Sequence, residues 1–391
     1  MGLAIYRLYF HPLSKLPGPK FFAISGFPLA IDNQLRGLFN RRVLKFHQQY
    51  GDIVRTGPNH LSMDGTIGWP EVFGHSRSGQ PEFSHWNDFY QAGDSSNLSL
   101  FPADRESHRR QRRLMAHAFS DAAIREQEPL IKKYVDMLFV QLRMCAAQQE
   151  PVDILKWYNY TTFDIIGDLA FAEPFGCLEN SDYHPWVAMI FNSIKAGARM
   201  QFVLKFPFLR AILQLMTSKE DEKKRLESKT MAREKAERRI ILGPAPDGRK
   251  DIMTYILRHN DEKGMTPPEI SGNAEALIVA GSETTATTLS GLTYYITTNL
   301  QALKRLQDEV RTAFSSEEEI TMESTSHLKY LHACIEEVLR VYPPAAETPP
   351  RISPGEYVGG YYIPKGVSDI FRIPCLDLYA FHPRVVESNT R

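Results

Sequence analysis

A single helical pattern running without a break from residue 266 to about residue 300 sets the strongest limit on how this chain can fold. Thr266 stands where an N-cap belongs. Pro267 and Pro268 occupy the first turn, where the N–H groups have no intrahelical partner to lose. Shorter patterns of the same period cover 104–119, 126–147, 161–170 and 328–340, the last stopped by Pro343 and Pro344. Strand-like stretches rich in turn residues lie towards the two ends: GDIVRTGPNHLSM within 51–79, and GEYVGGYYIPKG at 355–366. The expected fold is therefore mainly α with a minor β component. The run KEDEKKRLESKTMAREKAERR, 219–239, carries both signs at helical spacing and reads as a solvated helix face, broken by GPAPDG.

The long pattern contains AGSETTATT, 280–288. Ser and Thr inside a helix compete for backbone hydrogen bonds, so a polar cluster in an apolar helix asks for a reason. Gly281 lowers helix propensity by about 1 kcal/mol relative to alanine, but it lets a flat ligand approach the backbone beside Ala280. The Thr284 hydroxyl can reach the Ala280 carbonyl four residues back, a contact that bends helices. Glu283 next to Thr284 then sets an acid beside an alcohol, a pair able to relay protons to a buried reactive species. A patch of small residues for helix packing accounts for the same letters.

Three further constellations carry charge. Glu337 and Arg340, i and i+3 in EEVLR, can pair on one helix face, as on any charged helix; their place immediately before VYPP gives them weight. In HRRQRRLMAHAFS, Arg112 lies one turn beyond His108, so both can face one anionic ligand near a helix start. A solvated basic face or a nucleic-acid patch fits that segment too. Arg351 enters a strand after a proline-rich turn and says little alone.

With 391 residues and 43% apolar side chains, the chain can bury a substantial core. A formal net charge of zero and a pI of about 7.2 argue against a nucleic-acid binder built on HRRQRR. Cys145, Cys177, Cys334 and Cys375 show no close pair, which points to a reducing compartment and away from disulfides or a zinc site. Asn97-Leu-Ser and Asn159-Tyr-Thr match a glycosylation sequon short enough to arise by chance. No segment reaches the roughly 18 to 20 apolar residues of a membrane span. MGLAIYRLYF at the start is apolar but short, and the proline-rich HPLSKLPGPK after it makes a stiff connector. These residues are either a disordered terminus or the stump of an anchor helix, so 1–20 is set apart from a domain over 21–391.

Taken in order, PGPK, the histidine–arginine helix, FDIIGDLAFAEPFGCL, AGSETT, EEVLRVYPP, the proline–arginine strand and GYYIPKG resemble the microsomal cytochrome P450 monooxygenases. The texture is most similar to fungal members that tailor secondary metabolites, and the resemblance covers about 5–366. It implies the cytochrome P450 fold, a haem cofactor, a small apolar substrate and an NADPH-dependent reductase as redox partner. It implies the cytoplasmic face of the endoplasmic reticulum membrane, with association weakened by a lost anchor and a cytosolic location as the alternative. By the same resemblance Ala280 and Gly281 line the distal haem face, and Glu283 and Thr284 deliver protons. His108, Arg112 and Arg351 hold the propionates, and Glu337 and Arg340 form a buried structural pair.

The family's ligand loop, F-x-x-G-x-R-x-C-x-G, places a cysteine thiolate on the iron, and these 391 residues contain no such loop. Cys375, in FRIPCLDLY, has no flanking glycine, and Cys145, Cys177 and Cys334 lie in helical patterns as small core residues. The resemblance fades at Val367. The expectation is a P450 fold incomplete at its C-terminus, weak in haem binding, whose tail reflects a splicing, frame or decay event. A non-catalytic remnant or binding protein is the competing reading.

Overall fold

The computed structural model describes residues 1–74, 81–86, 89, 99–149, 151–206, 219–243, 248, 250–262, 264–345 and 347–372. The chain divides into two compact units. One takes in Met1–Ser95, Ile194–Ser218 and Ala345–Leu378, and the other is built chiefly from Ser96–Ser193 and Lys219–Pro344.

The first unit holds a sheet in the strand order β1-β2-β7-β4-β3. Its strands are β1 (Ile53–Gly57), β2 (His60–Asp64), β3 (Ser84–His85), β4 (Arg351–Ile352) and β7 (Ser368–Arg372), and a separate hairpin joins β5 (Glu356–Val358) to β6 (Tyr361–Ile363). The GDIVRTGPNHLSM hairpin forms as expected, β1 pairing antiparallel with β2. The segment after it does not stay extended. Asp64 accepts the Thr66 N–H at 2.9 Å and starts the helical turns Gly65–Gly68 and Trp69–Phe73. β7 runs parallel to β2 and antiparallel to β4, so residues just past Val367 form the central strand of this sheet. Leu13 and Leu16 pack with Ile53, Leu61 and Met63 beneath it. Arg55 Nη1 donates to the Arg7 carbonyl at 2.8 Å. The proline-rich stretch read as a connector therefore contributes Leu13 and Leu16 to this core. Among the described residues no helix is long and apolar enough to cross a membrane.

Longer helices are numbered in chain order. Phe39–Tyr50 (α1) belongs to the first unit. Arg105–Ala118 (α2), Asp121–Ala147 (α3) and Ile154–Phe171 (α4) belong to the second, and Pro185–Lys205 (α5) is cut by the division. Lys219–Leu242 (α6), Ile252–Arg258 (α7), Pro267–Thr298 (α8), Leu300–Ala313 (α9) and Lys329–Val341 (α10) complete the second unit. Helix α4 is buried nearly all round and α8 packs along it, which makes this pair the centre of the helical core. Its two interior carboxylates are paired: Asp164 accepts the Cys177 and Leu178 N–H groups at 3.1 and 2.8 Å, and Tyr134 donates to Asp168 at 2.5 Å. Asn159 is 6% exposed on this helix, so its sequon is closed to glycosylation in the folded chain; Asn97 lies outside the described residues.

The charged run 219–239 is not solvated at its end. Arg239 is fully buried and bonds Asp251 at 2.9 and 3.1 Å and Thr254 at 2.9 Å, while Lys235 meets Glu173 at 2.7 Å. Burial of that arginine is tolerable only because the N-cap carboxylate of α7 receives it.

Candidate functional site

Helix α2 opens with Asp104, whose carboxylate accepts the N–H groups of Glu106 and Ser107 at 3.0 and 2.9 Å. Its buried stripe, Gln111, Leu114, Met115 and Ala118, has helical spacing and turns inward. Gln111 is central to that stripe, so the neighbouring positions Arg110 and Arg112 fall on its two flanks, about 100° to either side.

The two flanks do different things. Arg110 binds Glu269 with two parallel bonds, 3.0 Å to Oε2 and 2.5 Å to Oε1, and donates to the Gly264 carbonyl at 2.6 Å. Glu269 completes the capping box of α8 with Thr266. The Arg110 guanidinium, followed by the Thr266 N–H and hydroxyl, holds its carboxyl down at about 2 against the desolvation that opposes it. Gln111 donates to Glu269 at 3.3 Å and accepts from Asn273 at 2.7 Å, and Asn273 accepts the Leu100 N–H at 2.9 Å. Arg112, on the other flank, lines a cleft of about 410 Å³ together with Met115, Phe119, Ala276, Leu277 and Ala280. Among the described residues no hydrogen bond or ion pair engages the Arg112 guanidinium.

The structure brings Arg112 and Ala280 to one cleft. Thr284 donates its hydroxyl to the Ala280 carbonyl at 2.6 Å, as the spacing predicts. Thr284 and Glu283 are exposed on α8, which is α-helical from Pro267 to Thr298. At Gly281 a Cβ would meet Ile166 Cδ1 at 3.0 Å, so the missing side chain also admits the packing of α4. His108 is half-buried one turn before Arg112. Glu337 is 2% exposed, and Arg340 grips it with Nε and Nη2, both at 2.6 Å, forming the expected pair. Arg351 lies in the first unit on β4, its guanidinium 4.8 Å from the centre of the Phe73 ring.

A haem presents an apolar macrocycle with carboxylates at one edge. The cleft fits that chemistry on two counts, apolar walls and a guanidinium that the described residues leave for an anion. It gains no thiolate from the described cysteines inside helices. Burial pushes the Cys177 thiol up to about 12 and the Cys334 thiol up to about 11, and Cys145 packs against the helical core. Cys375 lies outside the described residues, among which no cluster of three or more His, Cys, Asp or Glu could hold a metal ion.

Arg110, Gln111, Glu269 and Asn273 were not singled out from sequence. The capping-box spacing of Thr266 and Glu269 was the available signal for one of them.

The cytochrome P450 family profile matches residues 16–373, past Gly366 and into β7. Cytochrome P450 monooxygenase astJ of Aspergillus oryzae is 40% identical over 367 residues, which is 93% of this chain and 73% of that protein. Cytochrome P450 monooxygenase lcsI of Purpureocillium lilacinum is 39% identical over 373 residues, 93% of this chain and 71% of its own. A trichothecene C-15 hydroxylase of Fusarium sporotrichioides is 39% identical over 369 residues, 93% and 74%. Similarity sustained over so much of the chain places it: it belongs to the cytochrome P450 family.

Proposed function

We propose that this chain serves the hydroxylation of a small apolar molecule of fungal secondary metabolism, as the family's haem-thiolate monooxygenases do with electrons from a redox partner. An NADPH-dependent reductase at the cytoplasmic face of the endoplasmic reticulum membrane is the partner and place that the resemblance favours. The observation that carries the reading is the Thr284 hydroxyl bonded to the carbonyl of Ala280, a residue of the cleft wall.

Haem, when bound, supplies the oxygen-activating centre. The chain's own residues do the rest. Arg112 holds a propionate by charge-assisted hydrogen bonds, with His108 and Arg351 assigned to the same task by resemblance. Met115, Phe119, Leu277 and Ala280 exclude water from the face they cover. With its proton committed to Ala280, Thr284 Oγ1 keeps lone pairs free to accept a hydrogen bond. Glu283, exposed beside it, exchanges protons with solvent. Glu337 and Arg340 brace α10.

The test is reconstitution with haem followed by the reduced carbon-monoxide difference spectrum. A thiolate-type band and hydroxylated product support the reading. Haem bound without that band points to a second one, a chain that binds haem or an apolar ligand without oxygen chemistry.

A further inference from the structure

Helix α2 carries four arginines within five positions, Arg109, Arg110, Arg112 and Arg113. Sequence spacing cannot say which of them serves a ligand. The structure separates them by what Gln111 does between them. Gln111 is fully buried, donates to Glu269 and accepts from Asn273, so it pins the rotation of α2 about its own axis. Arg110, on one flank, has its charge met by the Glu269 carboxylate and its Nη1 also met by the Gly264 carbonyl. Arg112, on the opposite flank, is left facing the cleft.

We propose that Arg110, Gln111, Glu269 and Asn273 act as a positioning clamp that sets the rotation of α2 against α8 and so aims Arg112 at the anionic edge of the cleft ligand. The proposal rests on the haem reading of that cleft. The physical argument is angular. Positions 110 and 112 are about 200° apart on a helix, so a small roll of α2 carries the Arg112 head group sideways out of a guanidinium–carboxylate geometry that tolerates little misplacement. The charged pair and the two buried amides resist that roll, because releasing any of them leaves a desolvated polar group without its partner.

The test compares haem with its dimethyl ester, whose propionates are masked. Each is titrated into the purified 391-residue chain and followed by tryptophan fluorescence quenching. The readout is the ratio of the two affinities, which isolates the anion contact from apolar binding. Unsubstituted chain is expected to favour haem by about tenfold, the scale of one charge-assisted contact, and Arg112→Ala to bring the ratio near one. Glu269→Gln, and Arg110→Met from the other side of the pair, are expected to lower the ratio at least threefold. Leu178→Ala, a cavity on a turn next to α3 and α4, is expected to weaken the fold and leave the ratio intact. An unchanged ratio in Glu269→Gln and Arg110→Met, with haem still preferred by the unsubstituted chain, would overturn the clamp alone. Failure of the unsubstituted chain to bind either compound would overturn the haem reading and the clamp together.

Discussion

The two halves of α8 are built on opposite plans. Its first turns are tied outward: Glu269 to Arg110, and Asn273 to Gln111 and the Leu100 N–H. Its later turns are tied largely to themselves, although Thr293 also meets the Tyr158 hydroxyl of α4 at 2.8 Å. Ser282, Thr284, Thr288, Ser290, Thr293, Thr297 and Thr298 each donate to the carbonyl four residues back. A hydroxyl bonded to its own helix can be released at little cost, whereas a buried carboxylate bonded to a guanidinium cannot. This helix thus divides, along its length, outward charged anchoring from hydroxyls bonded to its own backbone. The first turns set the helix in the core, and the later ones keep hydroxyls that can change partner.

Breaking the outward half is expected to cost most. Glu269→Ala should lower stability by about 3 kcal/mol, since it leaves Arg110 without its counter-charge and Gln111 without its acceptor; urea unfolding followed by circular dichroism reads it, and a loss under about 1 kcal/mol would erase the contrast between the halves. Acid gives the same comparison without surgery. Glu269 is held at about 2, below its ordinary value of 4.5, so its contribution is complete above about pH 4.5 and is lost as the pH falls towards 2. Glu269→Gln should therefore flatten that part of the stability–pH curve, and an unaltered acid limb in the variant counts against the pairing.

Gly281 sits where the two plans meet. Gly281→Ala gains about 1 kcal/mol of helix propensity and meets Ile166 Cδ1 at 3.0 Å, so the net change should be small. Adding Ile166→Val should make the double variant more stable than Gly281→Ala alone, a difference of about 1 kcal/mol readable by thermal melting. If haem affinity falls in Gly281→Ala while stability holds, the glycine serves the ligand after all. Thr284→Ala should be nearly silent in stability, within about 0.5 kcal/mol. In haem-loaded enzyme it should uncouple electron consumption from product formation. Unchanged coupling would remove Thr284 from proton delivery.

Some of the site was legible because it is local. Thr266 as cap, the Glu337–Arg340 pair and the Thr284-to-Ala280 bond all lie within four residues, and helical geometry alone brings such groups together. The clamp was not legible, because Arg110 and Glu269 are 159 residues apart and nothing in HRRQRR ranks one arginine above another. Arg239 shows the same limit. Mixed charge at helical spacing reads as a solvated face, yet Asp251 draws that arginine into the core.

By itself, then, the sequence determined the start of the long helix at its Thr266 cap, the helix stopped before Pro343, the hairpin at GDIVRTGPNHLSM, and the order of motifs that marks the cytochrome P450 family, because periodicity, caps and turn chemistry act over a few residues. The tertiary structure alone decided that Ser368–Arg372 is a central strand, that Gly281 faces Ile166, and that Arg110 is neutralised while Arg112 lines the cleft. Those outcomes depend on which distant surfaces meet, and burial makes a partner obligatory only once they have met.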